Sequence, residues 1–119
     1  MGIQRVPGAR GASFSKAVAV SGAGRTVYVS GHLASGGSLA EQTNGCSDQI
    51  DAALRAVGGS LAHVVRITAF LTSLDEYAQY ARVRGERFGA NLPASAAVQV
   101  AGLLQGALIE IDAVAFIPD

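Results

Sequence analysis

The sequence predicts an α+β fold in one domain spanning residues 1–119, a two-layer sandwich in which two helices cover one face of a mixed sheet. Three observations carry that prediction. Short runs rich in β-branched and small apolar residues alternate with two segments of helical period, glycine or proline closes nearly every run, and the resulting order is β-β-α-β-α-β-β.

The elements follow in turn. Residues 1–12 hold Gly2, Pro7, Gly8 and Gly11 and read as an irregular arm. Residues 17–20 and 26–30 are apolar or β-rich, and the Ser-Gly-Ala-Gly turn between them makes the pair a hairpin. Over residues 42–57, Cys46, Ile50, Ala53, Leu54 and Val57 recur at helical spacing, with Gly58 and Gly59 placed as a C-cap; Asn44 and Gly45 weaken the first turn. Residues 64–71, VVRITAFL, read as a buried strand. Ser73 and Glu76 match a capping box, so a second helix should run to Phe88, where Gly89 stops it. Residues 93–116 then read as a final hairpin with its turn near Gln105 and Gly106.

Composition narrows the function. Half of the 119 residues are hydrophobic and 15% are charged, with a mean hydropathy of +0.33. A monomer of this size has few places to hide so much apolar surface, so part of it is expected between subunits. Nine basic and nine acidic residues cancel, and no segment concentrates Lys or Arg, which disfavours nucleic acid as a partner. No apolar run approaches the about 20 residues of a membrane span, and residues 1–11 lack the apolar core of a secretory signal. A cytoplasmic protein without membrane contact is expected. Cys46 is the only cysteine, so no intrachain disulfide and no CxxC metal pattern exist. His32 and His63 stand alone, and neither a metal nor a cofactor is implied.

The last strand points to chemistry. Glu110 and Asp112 are two residues apart and therefore share a face with Leu108 and Val114. A half-buried carboxylate on an apolar strand is costly unless it is partnered or functional. A pair of such groups suits general acid/base work.

Several stretches resemble the Rid family, also called YjgF/YER057c/UK114 or L-PSP: YVSGHLA at 28–34, EQTNGCSDQIDAALRAVGGSLAHVVRITAFLTSLDEY at 41–77, ERFG at 86–89 and PASAAVQVAGLLQGALIEIDAVA at 93–115. The resemblance implies a chorismate-mutase-like protomer in a barrel-like homotrimer, with clefts at the subunit interfaces. It also implies hydrolysis of enamines and imines such as 2-aminoacrylate to ketoacids and ammonia. The family's acid residue falls on Glu110, and its cleft glycine on Gly31. The arginine that holds the substrate carboxylate falls on Ser95, so it is missing. Ala97 keeps only a backbone N–H to offer, the family's N-terminal tyrosine is Phe14, and a frequent asparagine is Ala81. Tyr77 on the second helix is counted with the substrate-binding residues, and His32, next to Gly31, is a candidate acid/base partner for Glu110.

An arginine clamp on a carboxylate is worth about 1.5–3 kcal/mol, and serine does not replace it. Ketoacid-forming deamination of 2-aminoacrylate is therefore expected to be weak or absent. Arg82 and Arg84 lie about 200° apart on a helix, so at most one could restore the charge. The expected function is an atypical Rid-family enzyme: imine or enamine hydrolysis, or a related tautomerisation, cyclisation or elimination, using Glu110. The alternative is a non-catalytic trimer that binds a small molecule or a partner protein. Ribonuclease activity is disfavoured by the neutral charge balance.

Overall fold

The computed structural model describes residues 2–119. They form the expected α+β architecture, with a six-stranded mixed sheet in the order β1-β2-β5-β4-β6-β3. Strand β4 (Val64–Leu71) lies inside it, burying Val64, Ile67, Ala69 and Leu71. On one side it pairs parallel with β5 (Ala94–Gln99), and on the other antiparallel with β6 (Ile109–Pro118). Strand β3 (Gly24–His32) closes the far edge against β6.

Two expected hairpins do not form. The strands within residues 93–116 do not pair with each other, because β4 stands between them. The connection, residues 100–108, exceeds a tight hairpin loop and reaches across the about 10 Å that separates alternate strands. The most apolar strand thereby gains a partner on both edges. Likewise β2 (Ser15–Val20) does not pair with β3. Its partner is β1 (Ile3–Pro7), formed by residues read from the sequence as an irregular arm. The IQRVP run alternates, and its even positions are the exposed ones until Pro7 ends it.

The β1–β2 ribbon touches the main sheet through the single bridge Ser15–Ala94 and then crosses below its end. Arg5 fastens it there, donating to the carbonyls of Val64 (3.0 Å), Leu92 (2.9 Å) and Ala62 (2.9 Å). Beyond Ala94 no strand among the described residues pairs with the outer edge of β5.

Helix α1 (Leu39–Arg55) starts earlier than expected. Ser38 is its N-cap, accepting from the Glu41 amide at 3.1 Å, and the Gln79 side chain accepts from the Ala40 amide. These partners offset the weakness of Asn44 and Gly45. Gly45 is itself required, since a Cβ there would press on Ala34. Helix α2 (Tyr77–Phe88) begins at Tyr77 without the anticipated capping box. Ser73 accepts instead from the Asp75 amide, and Glu76 turns to Gln79, so the box residues are spent in the preceding turn.

Both helices lie on one face. Cys46, Ile50 and Leu54 of α1 and Tyr80 and Phe88 of α2 share one core with Ile67, Ala69, Ile109, Ile111 and Ala113 of the sheet. The other face carries Arg66, Thr68, Phe70, Glu110, Asp112, Val114 and Tyr28, as the pairing register requires. None of the described residues covers it, and Tyr28 is 80% exposed.

Candidate functional site

Glu110 lies on the uncovered face of β6, opposite Phe70. The neighbouring β3 carries an irregularity there: Val29 faces Ala113 and His32 faces Ile111, leaving Ser30 and Gly31 together opposite Asp112. Such a two-against-one bulge turns the bulged strand and re-aims what it carries. It brings Gly31 against the Glu110 side chain, where a Cβ would overlap the carboxylate oxygen Oε2. The carboxylate therefore rests over bare backbone. Burial pushes the Cys46 thiol up to about 11, and the Glu110 charge adds to that rise.

His32 does not join Glu110. It is in register with Ile111, on the helix side of the sheet. Gln49 of α1 donates to the Leu33 carbonyl and accepts from His32 Nδ1 at 3.1 Å. The candidate Glu110–His32 pair does not form within the protomer, because successive strand positions point to opposite faces.

Ser95, Phe14 and Tyr77 do come together, around a residue the sequence placed only as a substitute charge. Ser95 faces Ile67 on the helix side of the sheet, and Ala97 follows on the same face. Arg84 Nη1 donates to Ser95 Oγ at 3.0 Å and Nη2 to the Tyr77 hydroxyl at 3.1 Å. Nε and Nη2 both reach Ser13 Oγ, at 3.1 and 2.9 Å. The guanidinium carbon sits 5.1 Å from the Phe14 ring centre, 4.9 Å from Tyr80 and 5.9 Å from Tyr77. Arg82 points outward to Glu86. Burial raises the Tyr80 hydroxyl, against the opposing effects of its Ser95 hydrogen bond and the Arg84 charge. Tyr77 and Arg84 lie on one helical stripe with Tyr80 flanking it, a relation that follows from helical spacing alone. Ser13 comes from the far end of the chain, which helical spacing does not record.

These two groups lie on opposite faces of the sheet. Ser95 is level with β4 position 67 and Glu110 with position 70, about 10 Å apart along the strands before the width of the sheet is added. One small molecule cannot touch both in a single protomer. A cavity of about 470 Å³ opens elsewhere, between Leu33, Gly36, Gln42, Gln49 and Gln105. No titratable side chain lines it among the described residues, so it offers a polar pocket without acid/base groups.

Comparison with known proteins fits this architecture. Residues 5–117 match the family described as Endoribonuclease L-PSP. A RutC family protein of Pyrococcus abyssi is 39% identical over 80 residues, covering 67% of this chain and 63% of that protein, so the match spans just under two thirds of that relative's length. The 2-iminobutanoate/2-iminopropanoate deaminase of Rattus norvegicus is 36% identical over 119 residues, covering 93% of this chain and 84% of that one. Among solved structures, Rv2704 of Mycobacterium tuberculosis, a member of the YjgF/YER057c/UK114 family, superposes with a TM-score of 0.77 at 30% identity, covering 98% of this chain and all of that one (100%). The chain therefore belongs to the endoribonuclease L-PSP family, the Rid or YjgF/YER057c/UK114 family whose pattern its strands and last carboxylate already carried.

Proposed function

We propose that this protein hydrolyses small imines or enamines to carbonyl compounds and ammonia, with Glu110 as the acid/base group, in clefts between the copies of a homotrimer. The observation that carries the reading is the Glu110 carboxylate lying across the bare backbone of Gly31 on an uncovered sheet face. Relatives named 2-iminobutanoate/2-iminopropanoate deaminase, such as those of rat and human, support the reaction class.

The residues suit that chemistry. Glu110 takes a proton from water as the water oxygen bonds to the imine carbon, and passes that proton to the nitrogen that receives the C=N electron pair, giving the carbinolamine. Glu110 then takes the carbinolamine hydroxyl proton and delivers it to the amino nitrogen; the C–N bond breaks, and ammonia leaves as the carbonyl forms. For an enamine, protonation at carbon precedes these steps. A second copy is needed because the Arg84 cluster and Glu110 lie on opposite faces of one sheet. The open face, where Phe70, Val114 and Tyr28 lie among charged groups, and the unpaired edge of β5 are where copies would meet.

Ammonia release from freshly generated imines tests the reading, with wild type and Glu110→Gln compared side by side. Loss of about two orders of magnitude or more in the variant is expected for a general acid/base group. Equal acceleration by both proteins would remove Glu110 from the reaction, and no acceleration by wild type would reject hydrolysis and leave ligand binding as the use of the clefts.

A further inference from the structure

Arg84 is only 4% exposed, yet none of the ion pairs among the described residues involves it. All five of its N–H donors go to neutral hydroxyl oxygens instead: Ser13 twice, Ser95, Tyr77 and, at 3.5 Å, Tyr80. Three aromatic rings surround it, which softens the loss of water around a cation but does not neutralise it. A buried positive charge without a counter-ion is expensive, so the cluster is incomplete as it stands.

The hydroxyls show what completes it. An oxygen that accepts from a cation turns its own hydrogen away from that cation. Tyr80 and Ser95 share one such hydrogen, at 3.4 Å. Ser13 and Tyr77 donate no hydrogen bond among the described residues, and with Ser95 they are half-buried while Arg84 and Tyr80 are buried. We propose that these hydroxyls, polarised by Arg84, form an anion site that takes the carboxylate of the substrate. This reverses the expectation drawn from Ser95 alone, because the charge comes from α2 and is presented through hydroxyls. The inference rests on the hydrolase reading for what the anion belongs to, but not for the existence of the site.

The test uses the full chain, labelled with 15N, titrated with propanoate, with its neutral isostere propanamide, and with chloride at matched ionic strength. Propanoate is expected to give saturable shifts at Arg84 Nε–H and at the Ser13 and Ser95 amides, with no such response to propanamide or chloride. Ser13→Ala should weaken propanoate binding about tenfold, the effect of one charge-assisted hydrogen bond, and Arg84→Met should abolish it. If Arg84→Met does not fold, Ser13→Ala and Ser95→Ala decide. No saturable shift, or the same response to all three additives, overturns the site. Imine hydrolysis is followed in parallel. Turnover indifferent to a substrate carboxylate, without a propanoate response, removes the anion site and keeps the hydrolase. A propanoate response without turnover of any imine keeps the site and removes the hydrolase.

Discussion

Gly31 separates the position of the Glu110 carboxylate from the stability of the fold. A Cβ at this position meets the flexible end of Glu110 rather than backbone, so Gly31→Ala should change the urea unfolding free energy by under about 1 kcal/mol. The carboxylate must nevertheless move, and imine hydrolysis should fall at least about tenfold. Unchanged turnover would show that the contact has no part in the reaction. Cys46 makes a second residue-level test. Its thiol is 0% exposed and raised from 9.0 to about 11, by burial first and by Glu110 second. The unfolded chain therefore ionises first, so stability from the protonated thiol is whole below about pH 9 and is lost as pH rises towards 11. Between those values wild type should lose about 2 kcal/mol more than Cys46→Ala. Parallel pH profiles would contradict this.

At the scale of elements, what the sequence showed depended on how local the cause was. Strand β4 was legible to the residue, because its burial follows from its own composition. The start of α1 was also written locally, in Ser38 and Glu41, but the glycines beside them hid it. The same pattern at Ser73 and Glu76 misled, since Ser73 accepts from the Asp75 amide within the turn and Glu76 accepts from the Gln79 side chain of α2 rather than reaching back. Ser38→Ala should accordingly cost about 1 kcal/mol of stability, and Ser73→Ala under about 0.5 kcal/mol, as read from urea unfolding. Equal costs would restore the capping box. Strand partners were the least legible feature. Adjacent strands read as hairpins, but β4 inserts between β5 and β6, and β1 takes the partner expected for β3. Pairing is decided by contacts distant in sequence, which periodicity does not record.

For the whole molecule, the described residues leave one sheet face open, mixing Phe70, Val114 and Tyr28 with charged groups, and Tyr28 on it is 80% exposed. In the trimer proposed here, Tyr28→Glu should reduce the mass measured by analytical ultracentrifugation towards one chain, with the far-UV spectrum of a folded protein retained. A variant still the size of wild type would place the interface elsewhere. The candidate site was half legible. Glu110 stood out as a carboxylate on an apolar strand, and Tyr77 and Arg84 shared a stripe, but the bulge at Gly31 and the bond from Arg84 to Ser13, 71 residues away in sequence, are products of the fold. The central claim is that the Glu110 half and the Arg84 half of each cleft come from different copies. Mixing Glu110→Gln subunits with Arg84→Met subunits, each inactive alone, tests it by ammonia release. With subunit exchange verified by mass, equal mixing should regenerate about a quarter of the wild-type clefts and of the activity. Full exchange with no recovered activity would contradict the shared cleft.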